Sequence, residues 1–408
     1  MKRILLSLII LFPGLLAMAQ SQKGMVIIKG TLNGDLKGYN KITLYTRTTH
    51  DSTEIKDGQY SFSFPFSETG MKMLLPEYVT KMRQMYQPFG ILITGPGTYY
   101  VTSDIAKGMA QSSEVKGPEG AELYRSYERE SSEASVKLNH ALAAVHGNDW
   151  YRIDEKDPRY TALQTSMDSL QNIYTIPVLE KLLKGHPDSY ASAFALAGAG
   201  RSVSALEKKE QLLLMLSKKM RQSDVGQKFA DHIQGIKSAG IGKKVANFVL
   251  PDPKEKDVVF TNLKGKYVMI DFWASWCAPC RQSFPRMREV YAAYKDQNFE
   301  IYSISIDESK SAWLKAVADE NNPWLQSLDN KNISQRQFAV TGVPSTFLIG
   351  PDGVILASEV GFDPKGGGSM EKKLAELFGK EVPAKAEQKE PAKTDTKKMM
   401  KAVPMTSM

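Results

Sequence analysis

Cysteine is nearly absent: 408 residues hold two, Cys277 and Cys280. A domain stapled by disulfides carries several pairs at wider spacing, so a disulfide framework is excluded. Closing a loop of two intervening residues removes little chain entropy, so the value of this pair has to be chemical. Histidine is scarce as well. All five precede residue 233, and His140 and His146 stand six apart, off a common helical face. A C-x-x-C pair can be half of a zinc site, but zinc needs two more Cys or His ligands. No third cysteine exists and no histidine follows His232, so redox chemistry is favoured over metal binding, with no metal and no cofactor expected. Gly366-Gly367-Gly368 lacks a following Lys-Ser/Thr and reads as a flexible loop, not a phosphate cradle.

Long apolar runs are missing too. The run Ile4 to Leu16 follows Lys2 and Arg3, is interrupted by Pro13-Gly14, and ends before Ala17-Met18-Ala19. It falls short of the ~18 residues a membrane span needs. Basic start, short apolar stretch and small residues together predict a signal peptide over 1–19, cleaved before Gln20, with no membrane span afterwards. The competing reading is an uncleaved anchor. No cysteine follows the run to carry a lipid. The net charge of +8 is spread along the chain and its tail, which suits solvated faces and predicts no nucleic-acid partner.

At ~150 residues per domain the length accommodates two or three units. Residues 20–105 read as β-rich, a small sandwich or sheet. Met25 to Leu32, Lys41 to Thr46, Gln59 to Phe64, Met71 to Leu75, Gly90 to Thr94 and Thr98 to Thr102 collect strand formers between Asn-Gly, Asp-Gly and Gly-Pro-Gly turns. Residues 106–240 change to helical period, most clearly over Leu206 to Met220, and carry no catalytic spacing. After Gly240-Ile241-Gly242, residues 241–379 alternate strands and helices. Strands are predicted at Tyr267 to Trp273 and Phe299 to Ile306, with a hairpin of Ser345 to Ile349 and Val354 to Val360. Helices are predicted at Cys277 to Tyr294, Ser309 to Asn321, near Ser334 to Phe338, and at Ser369 to Phe378. The tail 380–408, rich in Lys, Ala, Pro and Glu, reads as disordered.

Cys277 and Cys280 sit where a buried strand hands over to a helix. Unpaired N–H groups and the positive end of the helix dipole stabilise a thiolate at Cys277, lowering its pKa below that of free cysteine and making it the nucleophile. Cys280, one turn further in, is shielded and resolves the mixed disulfide. Asp271 is an acid in an otherwise apolar strand. Such a residue is costly unless its pKa is raised and it has a task; the alternative is a hydrated carboxylate at the strand end.

The run Asp271-Phe272-Trp273-Ala274-Ser275-Trp276-Cys277-Ala278-Pro279-Cys280-Arg281, with Phe284-Pro285 behind it and Val343-Pro344-Ser345-Thr346-Phe347 downstream, resembles thioredoxins, and most closely the exported TlpA and ResA type. Ala246-Asn247-Phe248, Leu250-Pro251-Asp252 and Leu263-Lys264-Gly265-Lys266 look like the entry hairpin of that type. The resemblance covers 243–379 and implies an α/β thioredoxin-like domain with a redox-active Cys277–Cys280 disulfide. It also implies that Asp271 exchanges a proton with the second cysteine, that Pro344 is a cis-proline facing the sulfurs, and that Val343 offers backbone groups to a substrate strand. Trp276, Ala278 and Pro279 then contact the partner, although a core tryptophan is the alternative for Trp276. Pro285 is expected to kink the helix. The implied activity is reduction of disulfides in exported proteins, apocytochromes among the candidates, resupplied by an upstream donor such as a membrane thiol carrier. The periplasm, or an equivalent exported site, is the implied location.

With neither His nor Lys between the cysteines, extra positive charge beside the thiolate is limited to Arg281, which favours a reducing potential. Two other readings remain. Peroxiredoxins share the fold, but their peroxidatic cysteine follows a proline and a threonine or serine and lacks a partner two residues on. A partner-binding module would use the fold as scaffold, with residues 20–240 selecting the partner.

Overall fold

The computed structural model describes residues 24–383 except 47–49, 83–86, 154–156 and 362–365. The expected signal peptide and most of the expected tail lie outside these residues. Two compact units divide between Ile233 and Gln234.

In the first unit two four-stranded sheets share one core. Strands β1 (Met25–Asn33), β4 (Gln59–Pro65), β7 (Gly97–Asp104) and β8 (Glu114–Lys116) form one sheet in the order β4-β1-β7-β8. Strands β2 (Lys41–Tyr45), β3 (His50–Glu54), β5 (Gly70–Pro76) and β6 (Phe89–Ile93) form the other in the order β3-β2-β5-β6. Alternation along β1 buries Val26, Ile28 and Leu32 against Ile42, Leu44, Leu74 and Ile91 of the facing sheet, so the arrangement is a sandwich. His50–Glu54 has no apolar alternation and gives no strand signal in the sequence; it pairs with β2 alone, at the sheet edge.

Helices follow: α1 (Glu119–His146), α2 (Tyr160–Tyr174), α3 (Ile176–Gly185), α4 (Tyr190–Ala199), α5 (Leu206–Met215) and α6 (Asp224–Ser238). Leu179, Leu183, Leu196, Leu212 and Phe229 are central to their packing. The single helix expected over Leu206 to Met220 is broken, because the Ser217 side chain accepts from Met220 N and restarts the chain as a separate turn at Lys218.

The second unit is built on a five-stranded sheet in the order β13-β12-β11-β14-β15, comprising β11 (Tyr267–Trp273), β12 (Phe299–Ser305), β13 (Leu325–Leu328), β14 (Ser345–Ile349) and β15 (Ile355–Val360). Before it, β9 (Val249–Pro251) and β10 (Asp257–Val259) make a two-stranded entry hairpin, closed by Asp252 accepting from Lys254 N and Lys256 N. Helices α7 (Ala278–Tyr294), α8 (Lys310–Glu320), α9 (Ile333–Arg336) and α10 (Ser369–Phe378) complete the unit. With β12 parallel and β14 antiparallel to the central β11, this is a thioredoxin-like α/β domain.

Being central, β11 is apolar on both faces. Val268, Ile270 and Phe272 pack with Phe248, Phe260 and Phe338. Met269 and Trp273 face the other way, into the cluster that contains Cys277, Cys280, Phe284 and Met287. Period-two alternation puts Asp271 on that second face, with the cysteines.

Lys380–Pro383, expected to be disordered, are held. Tyr294 Oη donates to Lys380 O at 2.5 Å, and Arg286 donates to Val382 O and Pro383 O, each at 2.8 Å. The glycine loop is likewise more than a flexible link. Gly366 has φ +91°, and an added Cβ would meet the Arg286 guanidinium at 2.5 Å.

Candidate active site

Strand β11 ends at Trp273, Ala274–Trp276 turn, and α7 starts after Cys277. Cys277 is the N-cap of that helix: its Sγ accepts from Cys280 N at 3.2 Å, and its own N–H donates to Ala274 O at 3.0 Å. Pro279 occupies the first turn, where a missing N–H leaves no intrahelical bond unmade. The two sulfurs are joined, with Cα atoms 5.3 Å apart. Cys277 is 4% exposed and Cys280 fully buried, so an incoming sulfur reaches Cys277 first. An N–H aimed at Sγ, together with the helix N-terminus, stabilises negative charge on that sulfur once the bond is opened.

Around Cys277 the surface is open. Trp276 is 68% exposed, and Ala278 and Pro279 are exposed with it. A core position for Trp276 is thereby ruled out. Across from it, the Val343 carbonyl oxygen lies 3.6 Å from Cys277 Sγ. The Val343–Pro344 bond is cis, with Val343 half-buried and Pro344 buried.

Asp271 is 1% exposed, which removes the hydrated strand-end alternative. Burial pushes its carboxyl up to about 7, against a lowering contribution from the Ser303 hydroxyl, which donates to Oδ2 at 2.8 Å. A carboxyl poised there can take and return a proton near neutral pH.

Sequence reasoning missed two supports. Asp307 accepts from Ser275 N at 2.8 Å and from Ser275 Oγ at 2.7 Å, while Ser305 Oγ donates to it at 2.6 Å. It thus fixes the turn that presents Trp276 and Cys277. The available signal was an acid two residues past a serine at the carboxyl end of β12, where the loops of a parallel pair converge. The second is Arg286, 1% exposed in α7, which donates from Nε and Nη2 to the Glu371 carboxylate at 2.9 and 2.6 Å and from Nη1 to Glu289 at 2.8 Å. Arg281, in contrast, turns outward and pairs with Glu320 at 2.6 Å. Pro285 lies inside α7.

Among the described residues no group of three or more His, Cys, Asp or Glu side chains is placed to hold a metal ion, and no helix is long and apolar enough to cross a membrane.

Residues 241–358 match the family model described as the AhpC/TSA family. The thiol-disulfide oxidoreductase ResA of Bacillus cereus is 33% identical over 125 residues, 31% of this chain and 72% of that protein. The ResA of Bacillus subtilis is 34% identical over 122 residues, 30% of this chain and 68% of that protein. Among solved structures, the thioredoxin domain of a thiol-disulfide oxidoreductase from Bacteroides vulgatus is 31% identical and covers 36% of this chain and 100% of its own, with a TM-score of 0.31.

Proposed function

The chain belongs to the ResA family of thiol-disulfide oxidoreductases, and from that premise we propose that it is exported and reduces disulfides of exported proteins through a cycle of Cys277 and Cys280. The observation that carries this reading is the joined pair at the start of α7, with Cys277 4% exposed beside the open Trp276 and Cys280 fully buried behind it.

In the working direction the pair begins reduced, with Cys277 as a thiolate and Cys280 as a thiol. The Cys277 thiolate attacks one sulfur of the substrate disulfide; a Cys277–substrate bond forms, and the second substrate sulfur leaves as a thiolate and takes a proton from solvent. Cys280 then gives its proton to the Asp271 carboxylate and attacks Cys277 Sγ. The Cys277–Cys280 bond forms, the mixed disulfide breaks, and the remaining substrate sulfur leaves with the pair of electrons. Two electrons have passed to the substrate, and an upstream dithiol, a membrane thiol carrier in this reading, returns them. Trp276, Ala278, Pro279 and the Val343–Pro344 backbone form the rim on which the substrate rests. Pairing of Arg281 with Glu320 reduces the positive charge available to the thiolate, which supports the reducing direction.

The export half of this reading rests on the N-terminal pattern of Lys2, Arg3, the apolar run and Ala17-Met18-Ala19. The AhpC/TSA match favours peroxide reduction as a second reading. Trp273-Ala274-Ser275-Trp276 before Cys277, and a bonded partner at Cys280, speak against it.

Cys280→Ser tests the cycle. Mixed with a reactive protein disulfide, it is expected to trap a covalent adduct through Cys277 that survives non-reducing electrophoresis. No adduct, or one formed equally by Cys277→Ser, removes the assigned roles. The reduction potential against a glutathione series tests direction: a value close to that of the strong periplasmic oxidants, ~−120 mV, overturns the reductase reading.

A further inference from the structure

Behind the disulfide a chain of three side chains runs from the active-site helix to the buried acid. Trp324 Nε1 donates to Ser303 Oγ at 2.8 Å, and Ser303 Oγ donates to Asp271 Oδ2 at 2.8 Å. Register sets this up, since Asp271 of β11 lies directly beside Ser303 of the parallel β12. Trp324 in turn packs edge-on against Phe284 and Tyr291 of α7, with ring centroids 6.4 and 5.6 Å away. All three side chains are nearly sealed: Ser303 is 0%, Asp271 1% and Trp324 6% exposed.

The direction of each bond follows from the groups themselves. An indole N–H only donates, and a serine hydroxyl has a single proton. Trp324 fills an acceptor position on Ser303 Oγ, so the one hydroxyl proton is free to point at Asp271. Burial raises the Asp271 carboxyl, and the Ser303 hydrogen bond lowers it. From β12 it meets Ser303. On β14 its neighbour is Thr346, whose hydroxyl turns to Glu359 O at 3.5 Å. The α7 residues on this face are Cys280, Phe284 and Met287.

We propose that Ser303, oriented by Trp324, is a positioning residue for disulfide exchange: as a fixed donor it occupies Oδ2 of Asp271 and leaves Oδ1 as the oxygen that takes and returns the proton of Cys280. The inference deepens the proposed cycle and rests on Asp271 serving Cys280. The hydroxyl stabilises the ionised carboxyl in a site where burial opposes ionisation. It thereby sets the pH above which Asp271 can accept the thiol proton. Trp324 ties that setting to the helix that carries both cysteines.

The test is a pH titration of the Asp271 carboxyl by carbon NMR in the full-length oxidised protein, for the wild type, Ser303→Ala and Trp324→Phe, alongside the pH profile of disulfide reduction. Loss of one hydrogen bond to the carboxylate should raise the Asp271 midpoint in Ser303→Ala by roughly 0.5 to 1 on the pH scale. Trp324→Phe keeps the aromatic packing and should raise it by less. Ser303→Thr, which retains a hydroxyl, should restore the wild-type midpoint. A residue that only filled space would let water in when truncated and lower the midpoint. An unmoved or lowered midpoint in Ser303→Ala overturns the inference; should that variant not fold, an unmoved midpoint in Trp324→Phe does so. If the carboxyl midpoint rises while the acid limb of the rate stays put, Asp271 is not the proton carrier, and the proposed cycle fails instead.

Discussion

Asp307 grips Ser275 twice, accepting its backbone N–H at 2.8 Å and its hydroxyl at 2.7 Å. Two residues further on stands Cys277, so the position of its sulfur is set by a carboxylate on the neighbouring strand's loop. Replacing Asp307 with Ala removes the acceptor of all three bonds and leaves the Ser275 N–H without that partner. The expected cost is about 1–3 kcal/mol of stability, read as a lower urea midpoint. Insulin-disulfide reduction is expected to fall roughly tenfold, because the sulfur is no longer held in line with its partner. An unchanged rate would show that the turn holds its shape without this carboxylate.

Asp271 gives the protein a pH-dependent stability of unusual sign. An ordinary aspartate ionises near 3.9, whereas burial raises this one to about 7. Between those values the folded chain keeps a proton that the unfolded chain has released. The stabilising contribution is therefore complete below about pH 4 and is lost as pH rises through 7. Asp271→Asn should match the wild type at pH 4 and exceed it at pH 8 by a few kcal/mol, on the order of the linkage energy. Urea unfolding at both pH values reads this directly. The same variant should slow resolution of the mixed disulfide, so gain in stability and loss of turnover are expected together.

Arg286 and Glu371 form a buried ion pair, 1% and 8% exposed. The Glu371 hydrogen bonds hold the guanidinium above its usual range. Arg286→Met leaves the Glu371 carboxylate buried and unpaired, with an expected loss of about 3–5 kcal/mol. The Val382 and Pro383 carbonyls lose their donor as well, so trypsin should cleave after Lys380 sooner than in the wild type. Adding Glu371→Leu is expected to return part of the lost stability, since the orphaned charge is then gone. A double variant no better than the single one would point to packing of the guanidinium as the larger contribution.

Legibility of the sequence followed the range of the interactions involved. Ser369–Phe378 and β11 were readable to the residue, and α7 nearly so, because apolar period and a cap at Cys277 are local signals. His50–Glu54 was not, because an exposed edge strand carries no apolar alternation and exists only through its pairing with β2. Leu206 to Met220 read as one helix because its apolar period continues through Ser217, while the cap formed by that serine breaks it. No local signal in the sequence sets Arg286 apart. Its partner Glu371 lies 85 positions away, a distance at which composition and period are silent.

Readable from local sequence were a single cysteine pair two residues apart, its place where a buried strand gives way to a helix, and an acid on that strand. Each of these depends on neighbours within a few residues. Tertiary structure decided which groups control them. Ser303 reaches Asp271 because β12 lies parallel to β11 in register, Asp307 reaches Ser275 because both lie at the carboxyl ends of those strands, and Val343 reaches Cys277 across 66 residues. Hydrogen bonds and desolvation act over a few ångströms of space regardless of separation along the chain, so only the folded sheet could show which acid is sealed, which is bound, and which sulfur is left within reach.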